Sequence, residues 1–166
     1  MNLKEFLLAE LNREVERSRH ALEQLPEGKS DWKPHEKSMP MGRLAVHVAE
    51  MHGWTKPTVE DPELDFAKMD YKPFEPKTTE DLVAHLDKNV SEAVEVLKTI
   101  SDDQWHDDWS LRNGEQIYFT IPKIAVMRGM VLNHIVHHRG QLSVYLRLND
   151  IPVPAMYGPS ADEGQM

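Results

Sequence analysis

Four stretches of the chain carry apolar residues at spacings of three and four, the period that aligns side chains along one face of an α-helix. In the first stretch, residues 2–25, this face consists of Leu3, Leu7, Leu11, Val15, Ser18, Leu22 and Leu25. The same pattern predicts three further helices, over about 41–54, 78–100 and 122–149. The sequence therefore predicts an all-α protein built from four amphipathic helices.

The connections between these helices differ greatly in length. Residues 55–77 contain four prolines and no clear period, and so long a connection is unusual in a compact domain unless it crosses over or has a function. A long crossover allows the second and third helices to run parallel, which short loops do not. Before the fourth helix, Asn113-Gly114 is typical of a two-residue hairpin turn between short extended segments. The expected fold is a four-helix bundle with a long crossover between helices 2 and 3 and a small hairpin before helix 4.

Length, charge and cysteine content limit the possible classes of protein. A chain of 166 residues fits one domain, expected to span 1–166. With 19 Lys and Arg against 28 Asp and Glu, the net charge of -9 argues against nucleic acid or an anionic membrane as partner. The absence of cysteine excludes disulfides, thiolate metal ligands and a cysteine nucleophile. No signal-peptide pattern and no apolar run of ~20 residues is present, so a cytoplasmic protein is predicted.

The histidines suggest a metal site. Three of the nine lie within residues 133–139. On a helix, His134 and His138 are one turn apart on nearly the same face, His138 within the predicted buried stripe and His134 at its edge, whereas His137 points away towards solvent or a neighbouring subunit. Two imidazoles in this arrangement can chelate one ion. A buried histidine bonded to a carbonyl is the commoner explanation, so the pair alone leaves both interpretations open.

A third ligand would have to come from another helix, and the second helix offers His47 and His52. Periodicity favours His47 only slightly, and His52 is interpreted as a histidine at the rim of the bundle. The motifs of a di-iron carboxylate site and of a His-Glu-x-x-His zinc enzyme are both absent. Four other histidines are interpreted as surface residues: His20, His35, His85 and His106.

Three blocks of the sequence resemble the DinB family of proposed metalloenzymes. They are Gly-Arg-Leu-Ala-Val-His-Val-Ala-Glu at 42–50, Asn-His-Ile-Val-His-His-Arg-Gly-Gln-Leu at 133–142, and the tail 151–163 with its Tyr-Gly-Pro-Ser string. Together they cover both ends of the domain in order. The resemblance implies an up-down-down-up topology and a three-histidine metal site, whose ligands would be His47, His134 and His138.

The resemblance also carries expectations about activity. The family ion is usually zinc or nickel, many members form homodimers, and the better-understood relatives are transferases and isomerases that use low-molecular-weight thiols. The leading expectation is therefore a metal-dependent transferase or hydrolase acting on a small-molecule substrate, with a low-molecular-weight thiol as candidate cofactor. One alternative is a non-catalytic dimeric bundle that binds a metal or small ligand. Another is a relative whose histidines only fill a polar core.

Three residues beside the predicted ligands have two interpretations each. Glu50, one turn from His47, could orient that histidine or act as a base, or it could be a solvated carboxylate at the rim. Arg139 and Gln141 could bind substrate or pair across a dimer seam.

Overall fold

A computed structural model describes residues 2–164 of the chain. Its helices are α1 Leu3–Glu23, α2 Met41–Glu50, α3 Thr55–Glu60, α4 Thr79–Thr99, α5 Lys123–Val126 and α6 Asn133–Leu148. Its strands are β1 Glu63–Asp65, β2 Asp108–Asn113 and β3 Gln116–Pro122. Turns of 3-10 helix cover Met51–Trp54, Phe66–Lys68 and Asp103–His106, and a π-helical turn, Met127–Leu132, joins α5 to α6.

The four predicted helices are confirmed as α1, α2, α4 and the α5–α6 segment. Their apolar stripes form the core, as Leu7, Leu11 and Leu86 show by being fully buried. A capping box opens α4, where the Thr78 hydroxyl accepts a hydrogen bond from the Asp81 backbone at 3.1 Å. The chain is thus mostly helical, and a local sequence signal accounts for where α4 begins.

Side-chain contacts show how the helices run relative to one another. Lys4 and Arg19 of α1 reach Lys98 and Asp87 of α4, so these two helices are antiparallel. Ion pairs at two levels join α1 to the last helical segment, which runs parallel to α1. Helix α2 packs against both α4 and α6. That packing brings the middle of α2 against the first turns of α6.

The expectation of an all-α fold is wrong in one respect, because a three-stranded sheet is present. Its order is β1-β2-β3, with β1 parallel to β2 and β2 antiparallel to β3. The hairpin was predicted, but β1 was not. This strand is only three residues long and is held by partners distant in sequence, such as Ser110 opposite Glu63. Neither feature leaves a local signal.

The crossover segment also contains more regular structure than its prolines predict. Helix α3 includes Pro57 as its third residue, within the first turn, where a missing backbone N–H costs no hydrogen bond. The Asp65 carboxylate then accepts hydrogen bonds from the backbone of Ala67 and Gly114, at 3.0 and 2.8 Å. These bonds tie the crossover to the hairpin turn.

The hairpin turn lies one residue later than predicted. Asn113 pairs with Gln116, so the two-residue loop is Gly114–Glu115 rather than Asn113-Gly114. Gly114 has a φ of +58°, a conformation that glycine adopts without steric cost. A β-bulge between Leu111 and Arg112 shifts the register by one residue just before the turn.

The fourth predicted helix is interrupted by the π-helical turn. The extra residue in that turn rotates the preceding segment relative to α6. As a result Val126 and Met127 are fully buried, while Ile124 is only partly buried. The same turn presents the Met130 carbonyl to His134.

Within the part of the chain that is described, no helix combines the length and the apolar character needed to cross a membrane.

Candidate metal centre

The three predicted ligands meet where α2 packs against α6. Each of His47, His134 and His138 is half-buried and offers one nitrogen, and these nitrogens all lie within 4.8 Å of one another. The ring centroids of His47 are 5.2 Å from His134 and 4.6 Å from His138. The structure therefore brings together one side chain from α2 and two from α6, as the sequence analysis proposed.

Hydrogen bonds on the far side of two rings define which nitrogens face the centre. His134 Nδ1 lies 3.3 Å from the Met130 carbonyl, which can only accept, so Nδ1 carries the proton. His138 Nδ1 lies 2.7 Å from the Gln141 side-chain oxygen and donates to it in the same way. Both Nε2 atoms are then unprotonated, and they face each other at 2.7 Å. Two lone pairs at this distance repel unless a proton or a metal ion lies between them.

The protonation states favour cation binding. Burial, followed by the neighbouring imidazoles of His138 and His134, lowers the pKa of His47 to about 4. Burial is also the main cause that lowers the pKa of His134 and of His138. At neutral pH all three imidazoles are therefore uncharged, the form that donates a lone pair to a metal.

The residues present fit one divalent ion. A tetrahedral zinc with bonds of about 2.0–2.1 Å places its ligand nitrogens about 3.3 Å apart. The Nε2 atoms of His134 and His138 are 2.7 Å apart and the three ligand nitrogens all lie within 4.8 Å of one another, a range that includes that value. Three imidazoles leave at least one coordination position for another ligand, the arrangement typical of catalytic rather than structural zinc.

A pocket of about 260 Å³ opens beside His47. Its apolar side is formed by Trp54, Phe66 and Met69, and its polar side by Arg43, Glu50 and Tyr71. Four of these residues, Trp54, Phe66, Met69 and Tyr71, were not singled out from the sequence. Three of the four belong to the crossover, whose unusual length was the one signal that could have pointed to them.

The polar side of the pocket is a closed network around Glu50. Its carboxylate accepts from Arg43 at 2.9 Å and from the Tyr71 hydroxyl at 3.0 Å, and Arg43 also donates to the Tyr71 oxygen at 2.8 Å. Burial and the bond to Glu50 raise the pKa of Tyr71, so its phenol stays protonated. Glu50 is therefore not the solvated rim carboxylate that one interpretation assumed.

Comparison with known proteins agrees with this architecture. The family model described as "DinB family" matches residues 1–165. The chain belongs to the DinB family. A search of curated proteins finds no match.

Two solved DinB-like proteins share the fold. One, from Bacillus cereus, has a TM-score of 0.69 at 20% identity and covers 92% of this chain and 97% of its own. The other, from Bacillus subtilis, has a TM-score of 0.66 at 17% identity and covers 88% and 94%. At such low identity these structures support the fold of this DinB chain alone.

Two other histidines of this DinB chain lie elsewhere than predicted. His52, expected at the rim, is fully buried, and among residues 2–164 neither of its ring nitrogens has a hydrogen-bond partner. Burial and the nearby Arg139 lower its pKa to about 3. His85, expected on the surface, is half-buried and stacks on Phe74 at 4.1 Å. Four others are exposed as predicted: His20, His35, His106 and His137.

Arg139 and Gln141, which shared the same two interpretations, lie in different surroundings. Arg139 is fully buried and bonds Glu14, Ser18 and Tyr157, so its side chain is engaged within the chain itself. Gln141 is exposed and holds His138 through Nδ1. The DinB sequence block thus contains a residue that builds the core and a residue that orients a candidate ligand.

Proposed function

We propose that this chain is a metalloprotein that binds one divalent ion, zinc or nickel, through the Nε2 atoms of His134 and His138 and one ring nitrogen of His47. The observation that carries the proposal is the facing pair of unprotonated nitrogens 2.7 Å apart. Gln141 and the Met130 carbonyl hold the rings in this orientation, and such supporting bonds are typical of metal-ligating histidines.

We further propose that the site is catalytic and transfers a low-molecular-weight thiol to a small electrophile. A divalent ion with an open position lowers the pKa of a water or thiol bound to it, and so supplies a nucleophile at neutral pH. The pocket beside His47 would hold the electrophile, with its apolar part against Trp54 and Phe66. Arg43 would orient the polar part, because its guanidinium has N–H groups beyond those bonded to Glu50 and Tyr71.

A second candidate function is a binding module without turnover. It is favoured by the state of Glu50, the acidic residue of the pocket beside His47. Its carboxylate is already engaged by Arg43 and Tyr71, so it is poorly placed to accept a proton from a substrate. A reaction that needs a general base would have to break this network first.

Metal binding is tested by calorimetric titration of zinc and of nickel into metal-free, tag-free protein. We expect one ion per chain for the wild type and for His137→Ala, a neighbouring exposed histidine, and no uptake by His134→Ala. Equal uptake by the two variants would contradict the assignment of the ligands.

Catalysis is tested separately on zinc-loaded protein with a small thiol and a simple electrophile. Thiol consumption by the wild type, lost in His134→Ala and retained in His137→Ala, would support the transferase. One bound ion with no turnover across thiols and electrophiles would favour the binding module.

A further inference from the structure

Large apolar side chains are concentrated at the mouth of the pocket beside His47. Phe66, Met69 and Tyr71 line this pocket and are 40%, 39% and 49% exposed. Trp54 lines the same pocket and packs against the core. Single exposed apolar residues are ordinary on a protein surface, but a group of them around one pocket is typical of a ligand-binding site.

The aromatic side chains continue beyond the pocket to the hairpin. The ring centroid of Phe66 lies 6.4 Å from that of Trp54 and 6.3 Å from that of Tyr118. Both distances fall within the range of about 4.5–7 Å at which tilted aromatic rings attract each other. Trp54, Phe66 and Tyr118 therefore form a continuous series, the aromatic wall, from the pocket to the surface of β3.

The position of Tyr118 depends on the β-bulge of the hairpin. Consecutive residues of β2 pair with Phe119 and with Ile117, so Tyr118 has no partner on β2 and is the extra residue of the bulge. A bulge interrupts the alternation of a strand and redirects a side chain, and bulges are frequent beside functional sites. Here the redirected ring lies beside Phe66 and stays 49% exposed.

Phe66 is fixed relative to the same hairpin. The Asp65 carboxylate accepts hydrogen bonds from the backbone of Ala67, in the turn that carries Phe66, and from the backbone of Gly114, in the hairpin turn. Phe66 and Tyr118 are thus held next to each other by the backbone. A wall that is formed before a ligand arrives binds it at a lower cost in entropy.

The polar side of the pocket favours an anionic group. Arg43 donates to Glu50 and to Tyr71, and its guanidinium has five N–H groups, more than these two bonds use. The Arg43–Glu50 ion pair is neutral as a whole, and the three histidines carry no charge. A divalent ion held by these histidines would therefore keep its full positive charge, which attracts an anion to the pocket.

The size of the pocket limits the ligand to a small ring system. An apolar cavity of about 150 Å³ is large enough to hold benzene. The pocket beside His47 has a volume of about 260 Å³, enough for one ring and a small polar group. A second ring would extend out of the pocket along Phe66 and Tyr118.

We infer that the ligand of this pocket is an aromatic compound with an anionic group, whose rings lie against the aromatic wall and whose anion lies beside Arg43. As the substrate class of a reaction, this inference rests on the proposed function. The contact between the rings and the aromatic wall does not, because Phe66 and Tyr118 lie outside the histidine cluster.

The inference is tested by NMR titration of the isotope-labelled full chain in chelator with naphthoate, which has two aromatic rings and one carboxylate. We expect a dissociation constant of about 1 mM or lower, with amide shifts confined to residue 54, residues 66–69 and residues 117–119. Phe66→Ala and Tyr118→Ala should each weaken binding by about three- to tenfold. Tyr118→Phe keeps the ring and should bind normally, as should the matched control Phe6→Ala, an exposed phenylalanine of α1 outside the pocket.

Two analogues separate the ring from the charge. Decalin carboxylate, which is saturated, should bind more weakly than naphthoate. Naphthalenemethanol, which is neutral, should also bind more weakly, and Arg43→Gln should remove the difference between this alcohol and naphthoate.

Added zinc should strengthen the binding of naphthoate more than that of the alcohol. Ring contacts that persist while zinc has no effect would support the aromatic wall and count against the proposed metal site.

Three results would overturn the inference. The first is equal binding of decalin carboxylate and naphthoate, as expected if the wall accepts a saturated chain. The second is an equal effect of Phe66→Ala and Phe6→Ala. The third is an affinity for naphthoate that falls as the protein concentration rises, because a second copy of the chain would then cover the wall.

Discussion

Two polar clusters lie on the same helix with opposite chemistry. The histidine cluster, His47, His134 and His138, faces a pocket and contains three neutral bases and no acid. The arginine cluster, Arg139 with its partners Glu14, Ser18 and Tyr157, faces the core and joins a cation to an anion. His138 and Arg139 are consecutive residues, so a single step along α6 separates them.

The difference shows which cluster finds its charge partners within the chain. In the arginine cluster, burial raises the pKa of Glu14, but hydrogen bonds from Tyr157 and Arg139 outweigh burial and hold that pKa below its ordinary value. The cluster is therefore charge-balanced within the chain. The histidine cluster has neutral ring nitrogens facing one another and no internal cation, so on the proposed function a bound ion would complete it. We expect mutations in the arginine cluster to lower the free energy of unfolding and mutations in the histidine cluster to lower metal affinity.

The largest expected effect is on stability, at Arg139. Replacing it with methionine leaves the Glu14 carboxylate buried beside an apolar chain, and we expect the free energy of unfolding to fall by about 3–5 kcal/mol. The control is Arg17→Met, because Arg17 contacts the same carboxylate at 3.1 Å but is partly exposed. That change should cost about 1 kcal/mol or less. Urea denaturation measures both, and equal losses would break the distinction between the clusters.

The next effect is on metal affinity, at Gln141. Its oxygen accepts the proton of His138 Nδ1, so Gln141→Ala should lower zinc affinity by about 10–100-fold while stability changes by less than about 0.5 kcal/mol. Gln141→Glu keeps an acceptor at this position and should retain the affinity. Competition with a chromogenic chelator gives these values, and an unchanged affinity in the alanine variant would show that Gln141 does not support the ligand.

The smallest effect is a pH dependence from His52, which lies near the arginine cluster. Its pKa is about 3 in the folded chain against an ordinary 6.5, so the unfolded chain takes up the proton first as the pH falls. The contribution of neutral His52 to the free energy of unfolding is therefore full above pH 6.5 and declines as the pH falls. The decline is about 1 kcal/mol between pH 6.5 and 5.5. His52→Met removes this loss.

Unfolding free energies of metal-free wild type and His52→Met, measured across that range, isolate the contribution of His52. Both proteins share the histidine cluster, so its titration cancels in the difference. Parallel curves for the two proteins would show that His52 is not buried as a neutral base.

The difference between local and long-range interactions explains which features could be predicted from the sequence. Helical periodicity is local, so it identified the long helices and placed His134 and His138 on one face. The choice of His47 over His52 depended on family resemblance, because both lie in the predicted second helix, 41–54, and periodicity barely separates them. Burial of His52 depends on packing against other helices, which no local pattern reports.

Two other features were missed for related physical reasons. Strand β1 is held by residues of β2, such as Ser110, that lie far along the chain. The π-helical turn changes which face of the helix is buried between Ile124 and Ile135. The ion pair of Arg139 with Glu14 joins two helices far apart in the chain, so no local pattern indicated it, and Arg139 was predicted to bind substrate or to pair across a dimer seam.

The central claim is that the histidine cluster is completed by one metal ion. Elemental analysis of tag-free protein, after exposure to zinc and exhaustive dialysis, tests it most directly, with His47→Ala, His134→Ala and His138→Ala beside the exposed control His137→Ala. We expect close to one equivalent of zinc in the wild type and in the control, and much less in each of the other three. Less than about a tenth of an equivalent in the wild type, or zinc retained by all four variants, would contradict the claim.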